Sequence, residues 1–165
     1  MLANLNDYSA RVKAPFATLG VLADDDCLIA IHFLPTSLTA KSPNTNTIAH
    51  LAVVELMQYL ENPKHKFSVP IKMKGTKHQI DVWQAMQKIA AGKTLTYGDV
   101  AEKIQSSPRA VGTACGRNPV PIIVPCHRIV AANGLGGFMG GREGDPLAIK
   151  RWLLTHEGAL APALL

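Results

Sequence analysis

The sequence predicts an α/β protein of two lobes, a small antiparallel sheet with one covering helix followed by a mainly helical lobe. Two apolar, β-branched runs flank an acidic turn early in the chain, and amphipathic helical spacing dominates the second half. A Lys-rich connector near residue 72 coincides with a change in charge, which sets the lobes at 1–71 and 72–165. At 165 residues, with 47% hydrophobic and 18% charged side chains, the chain can bury a real core. That composition excludes a mainly disordered, collagen-like or disulfide-dense protein.

In the first lobe, residues 16–22 and Cys27–Leu34 read as strands around the turn Asp24-Asp25-Asp26, and Pro35 ends the second run. From Thr45 to Leu60 the positions Ile48, Leu51, Ala52, Leu56, Tyr59 and Leu60 recur at helical spacing, with Asn44 as N-cap and Asn62-Pro63 as the stop. Phe67–Ile71 is a short extended run inside the connector. In the second lobe Gln79–Ala90 is helical, with Ile80, Trp83 and Met86 on one face and Gly92 as terminator. Thr96 caps a short helix, and Ser107 with Pro108 starts another about three residues after it ends. Such a pair is either a plain αα-hairpin or a helix-turn-helix whose second helix carries Arg109 near its start and Ala110, Gly112, Thr113 and Ala114 along it. A last helix, Leu147–Thr155, turns Ile149, Trp152 and Leu153 inward and delivers Glu157 at its end.

The net charge of +5 is unevenly spread. Residues 1–70 hold five Lys/Arg against six acids, a balance of −1, while residues 71–165 hold twelve against six, a balance of +6. A basic lobe fits a polyanionic partner or a solvated surface. No run approaches the roughly 18 apolar residues of a membrane span, and residues 1–13 lack the pattern of a secretory signal, so the expectation is a cytoplasmic protein without membrane contact.

Three cysteines, Cys27, Cys115 and Cys126, leave at least one unpaired, and no CxxC suggests zinc or redox work. Cys27 in a strand pattern reads as a small buried hydrophobe. Cys126 is different, because Pro119, Pro121 and Pro125 stiffen the segment that leads to it and favour an extended backbone that is neither helix nor central strand. A free thiol is mostly protonated at neutral pH and needs a base or cation to become a nucleophile. His127 is adjacent, but neighbours on an extended chain point apart, so the link needs a turn or a bridging water, and Glu157 is a candidate to orient the imidazole. Downstream, residues 133–141 hold five glycines without a phosphate-loop pattern, suited to a tight pocket walled by Phe138 and Met139.

Val124-Pro-Cys-His-Arg128, the preceding Asn118-Pro-Val-Pro121, Arg109-Ala-Val-Gly112, Thr96-Tyr97 and the closing Trp152-to-Gly158 segment together closely resemble the O6-alkylguanine-DNA alkyltransferases, over about Gly75 to Gly158. The resemblance implies a ribonuclease-H-like α/β N-terminal lobe and a C-terminal lobe with a winged helix-turn-helix. It implies binding of duplex DNA through the minor groove, flipping of O6-alkylguanine (and less well O4-alkylthymine), and irreversible transfer of the alkyl group to Cys126 by a monomer that is cooperative on DNA in some members. No cofactor or metal is implied, since the zinc positions of some relatives correspond to Asp24 and Ile29.

By the same resemblance Cys126 is the alkyl acceptor, His127 the base through a water, and Glu157 its orienter. Asn118 orders the active loop, and Tyr97 steers the base and donates a proton. Arg109 fills the gap in the duplex, with Thr96, Ala110, Gly112, Thr113, Cys115, Arg117 and Arg128 on the DNA side. Ile129, Phe138, Met139 and Gly140, with Tyr97, form the guanine pocket.

Several departures stand out. The turn before Arg109 is about two residues shorter than the family's usual one, His78 replaces an aromatic, Cys115 replaces an apolar residue, and Arg142–Pro146 reads as an insertion. Two other readings follow from the residues, a cysteine hydrolase built on Cys126, His127 and Glu157 and a binding protein that recognises alkylguanine without repairing it. The hydrolase predicts turnover; the alkyltransferase predicts one event per molecule.

Overall fold

The computed structural model describes residues 4–138 and 145–161. Met139, Gly140 and residues 142–144 of the insertion lie outside them. The chain divides into two compact units, Met1–Met73 and Lys74–Leu165.

The first unit is a three-stranded antiparallel sheet, β1 (Ala10–Lys13), β2 (Thr18–Ala23) and β3 (Leu28–Leu34), in the order β1-β2-β3. The β2–β3 hairpin turns at Asp24, whose carboxylate accepts from the N–H groups of Asp26 (2.8 Å) and Cys27 (2.7 Å), so the acidic turn forms for a local hydrogen-bonding reason. Strand β1 has only four residues, in which buried Ala10 and Val12 alternate with Arg11 and Lys13. Helix α1 (Ile48–Glu61) packs Ala49, Ala52, Leu56 and Tyr59 against all three strands, each large side chain contributing about 1.5–3 kcal/mol of burial.

Helix α1 begins three residues after the expected start. Asn46 takes a left-handed φ of 59°, which a helix cannot contain, and Thr47 becomes the N-cap by accepting from His50 N–H. Glu55, on the buried face, receives Ser68 N–H, Ser68 Oγ–H and Val69 N–H and ties down the connector. The expected extended run touches the sheet at one point, Ile71 beside Leu28.

The second unit is helical. Helix α2 (Lys77–Gln87) starts two residues early because Thr76 and Gln79 form a reciprocal capping box, and it buries Val82, Trp83 and Met86. Then come β4 (Leu95–Thr96), α3 (Tyr97–Ile104), α4 (Pro108–Gly116), a 3-10 turn (Cys126–Arg128), β5 (Ile129–Val130) and α5 (Pro146–His156). Three residues separate α3 from α4, with Gln105 left-handed at φ 56° and Ser107 capping α4. The buried Trp83 indole donates to the Ala114 carbonyl at 2.9 Å, which pins α4 to α2. β4 pairs in parallel with β5, Leu95 with Ile129 and Thr96 with Val130, so the start of α3 is tied to the strand that follows Cys126.

Helix α5 turns differently from the sequence reading. Lys150, Leu153 and Leu154 are its buried side chains, while Ile149 and Trp152 are half-buried and Trp152 stacks on His156. Among the described residues, no helix is long and apolar enough to cross a membrane.

Candidate active site

The proline-rich segment is folded back rather than extended. Asn118 bridges the loop, its Nδ2 donating to the Val124 carbonyl at 2.7 Å and its Oδ1 accepting from Val120 N–H at 2.9 Å. Val124 N–H also donates to the Val120 carbonyl at 2.9 Å, and between them Ile122 adopts φ 75°, a conformation a β-branched residue takes only under constraint. Prolines lack the donors for a strand ladder but accept a turn, and the Asn118 amide supplies the missing cross-links. Residues 120–127 are buried without interruption.

The loop ends in the 3-10 turn of Cys126–Arg128, closed by Arg128 N–H on the Pro125 carbonyl at 3.0 Å. Cys126 is 4% exposed. Burial pushes its thiol above the ordinary range, while a hydrogen bond from Asn118 and the charge of Lys150 favour the thiolate. The turn sends His127 Nε2 to Glu157 Oε2 at 2.8 Å in a fully buried pair. An ionised carboxylate only accepts, so Nε2 carries the proton and Nδ1 is the basic nitrogen. Nδ1 has no hydrogen-bond partner among the described residues. Burial lowers the His127 pKa, against the opposing pull of Glu157, so the imidazole is neutral near pH 7.

Arg128 does not face outward as expected. Its Nε and Nη2 donate to Glu157 Oε1 (2.8 Å) and Oε2 (3.1 Å), and Nη1 donates to the Ile89 carbonyl at 2.6 Å. The same turn that brings His127 to Glu157 brings the next side chain with it, and a guanidinium matches a carboxylate in a two-pronged contact.

Tyr97 lies within electrostatic reach of Cys126, and Ile129 and Phe138 are both buried. The Tyr97 hydroxyl donates to the Gly137 carbonyl at 3.3 Å, and burial raises its pKa. Gly136 is required there: its φ is 74°, and a Cβ would sit 2.7 Å from the Tyr97 ring. Sequence reasoning missed Lys150. It is completely buried, its Nζ donates to the carbonyls of Ile129 (2.7 Å) and Gly137 (2.8 Å), and burial lowers its pKa to about 8. Its spacing with Leu153, Leu154 and Glu157 on one helical face is the signal that was available.

On the outer side of the helix pair, Arg109, Thr113 and Arg117 are exposed and Ala110 and Gly112 half-buried. The Thr113 hydroxyl is turned back onto the Arg109 carbonyl at 3.1 Å, and Thr96 is engaged in capping α3 through Asp99 N–H at 3.0 Å. Cys115 does not stand out from α4. It is half-buried within electrostatic reach of Cys126 and Lys150, and burial pushes its thiol up to about 12.

The family model described as the DNA-binding domain of 6-O-methylguanine DNA methyltransferase matches residues 77–159, from the start of α2 past Glu157. A methylated-DNA–protein-cysteine methyltransferase of Methanosarcina mazei is 37% identical over 91% of this chain and 96% of its own length. The chain belongs to the methylated-DNA–protein-cysteine methyltransferase family. Among solved members, the Mycobacterium tuberculosis O6-methylguanine methyltransferase superposes with a TM-score of 0.76 at 31% identity, covering 93% of each chain. A structure of the Mycobacterium tuberculosis protein OGT in complex with DNA gives 0.74 at 34% identity, covering 93% of this chain and 94% of that one. The methyltransferase DNA-binding domain thus includes the helix pair, the Asn118 loop, Cys126, His127 and Glu157 in one unit.

Proposed function

We propose that the protein repairs DNA by direct reversal, moving the alkyl group of O6-alkylguanine irreversibly onto Cys126. The observation that carries this reading is a buried Cys126 followed by His127 held on Glu157, in the same unit as a helix pair with an exposed Arg109. Helix α4 enters the minor groove, Arg109 occupies the space of the extruded nucleotide, and the base enters the pocket of Tyr97, Ile129 and Phe138.

A water between Cys126 Sγ and His127 Nδ1 relays the thiol proton to the imidazole, and Glu157 stabilises the imidazolium. The sulfur lone pair forms the S–C bond as the C–O6 bond breaks, and the electron pair passes into the guanine ring. A proton from the Tyr97 hydroxyl quenches that charge. Guanine remains in the DNA and a thioether remains on Cys126. A thioether offers no leaving group for hydrolysis, so each molecule acts once. Monomeric action in the cytoplasm is part of the same reading.

Mass spectrometry after incubation with duplex DNA containing O6-methylguanine tests it. One methyl group per protein, confined to the Cys126 peptide and absent from Cys126→Ser, is expected. Failure to form the adduct rules the reading out, and many turnovers per protein favour a hydrolase instead.

A further inference from the structure

Helix α4, which carries Arg109, is attached to α2 at both of its ends. Near its C-terminal end the Trp83 indole donates to the Ala114 carbonyl at 2.9 Å. Just ahead of its N-terminal end a hydrogen bond joins His78 Nε2 and Ser106 Oγ at 2.7 Å. A hydroxyl both donates and accepts, so this bond forms with either tautomer of the imidazole. One attachment leaves a helix free to pivot, and a second at the far end fixes its direction.

Ser106 is the residue where three helices meet. Its N–H donates to the Ala101 carbonyl at 2.8 Å and closes the end of α3 beyond the left-handed Gln105. The next residue, Ser107, caps α4 by accepting from Ala110 N–H at 3.2 Å. The Ser106 hydroxyl then reaches α2 through His78, and both partners are half-buried. An aromatic ring at position 78 would fill the space without bonding the hydroxyl. His78 and the shortened turn are both departures from the family's usual sequence, and one hydrogen bond joins them.

We propose that His78 is a positioning residue for duplex DNA, fixing the direction of α4 through Ser106 and with it the place of Arg109. This rests on α4 being the helix that meets DNA in the repair reaction. The bond lies on elements other than the Cys126–Arg128 turn and α5, so the chemistry at Cys126 does not run through it. The capping box of α2 uses Thr76 and Gln79 and is independent of the imidazole.

The test times alkyl transfer to Cys126 on two substrates, duplex DNA containing O6-methylguanine and free O6-benzylguanine, which needs no contact between helix and DNA. His78→Phe and Ser106→Ala are each expected to slow duplex repair about five-fold, the scale of one hydrogen bond, and to leave the free-base reaction within about two-fold. The double variant is expected to be no slower than either single one, because both remove the same bond. His78→Gln, whose amide nitrogen takes the place of Nε2, is expected to restore most of the duplex rate. Native duplex rates in the folded single variants overturn the proposal, as do equal losses on the two substrates, losses that multiply in the double variant, or a His78→Gln protein as slow as His78→Phe. If His78→Phe does not fold by circular dichroism, Ser106→Ala decides on the two substrates. Native protein that forms no adduct with either substrate removes the repair reading itself, whereas native protein that repairs duplex DNA beside an unimpaired His78→Phe removes this proposal alone.

Discussion

His127 Nε2 and Glu157 Oε2 stand 2.8 Å apart with both side chains fully buried, and Arg128 closes the other edge of the same carboxylate. Glu157 therefore serves two partners. Glu157→Gln leaves a guanidinium without its counter-charge and an imidazolium without its stabiliser. The expected result is a loss of about 3–5 kcal/mol in urea unfolding. Alkyl transfer should slow by about 10²-fold or more in single-turnover assays. Native rate and native unfolding midpoint in this variant contradict both roles.

The pH dependence follows from the two buried groups. The Cys126 thiol lies above its ordinary pKa and His127 below its own, each because burial disfavours the charged form. Across the neutral range the base is already available and the thiol is not yet ionised. Reaction with free O6-benzylguanine should therefore accelerate steadily as pH rises from about 6 to 9. A plateau reached below pH 7 speaks against a buried, pKa-raised thiol.

Arg109 is exposed at the start of α4, and among the described residues its side chain makes no hydrogen bond or ion pair. Arg109→Ala should leave stability within about 0.5 kcal/mol. It should slow repair of duplex DNA by an order of magnitude or more and barely change the reaction with free O6-benzylguanine. Equal losses on both substrates assign Arg109 to the pocket rather than to the duplex.

In the first unit Glu55 provides an acid-sensitive anchor. Burial works against its charge, yet the hydrogen bonds from Ser68 and Val69 outweigh it and hold the carboxyl below its usual pKa. A folded pKa below the unfolded one stabilises the protein fully above the unfolded value of about 4.3, and the effect disappears as pH falls through the folded value. Glu55→Gln should cost about 1.5–3 kcal/mol at pH 7, and the two proteins should converge in stability towards pH 3. Denaturant titrations at the two pH values measure this.

Local chemistry made much of this legible in advance. Thr96, Ser107 and Pro108 announce the two short helices because caps act within a few residues, and the β2–β3 hairpin follows from its acidic turn. Other features needed the third dimension. The four residues of β1 are too short for a period, and the α1 start depends on the left-handed Asn46. Three prolines suggest an extended segment, but Asn118 folds it by reaching across six residues to Val124. Cys126, His127 and Glu157 were nameable from residue type and motif. The inward placement of Arg128 and Lys150 was not legible, because charged side chains ordinarily face water and both are held inside by carbonyls that sequence does not reveal.

Lys150 and Glu157 are seven residues apart at the two ends of the same buried face of α5, so one helix supplies both the cation near the thiol and the anion on the imidazole. Undocking of α5 withdraws the two together. What remains in a partly unfolded copy is an ordinary cysteine beside an untethered histidine, with no more appetite for passing electrophiles than any surface thiol. The oriented base that alkyl transfer uses is thereby a property of the fully docked helix and not of the cysteine alone.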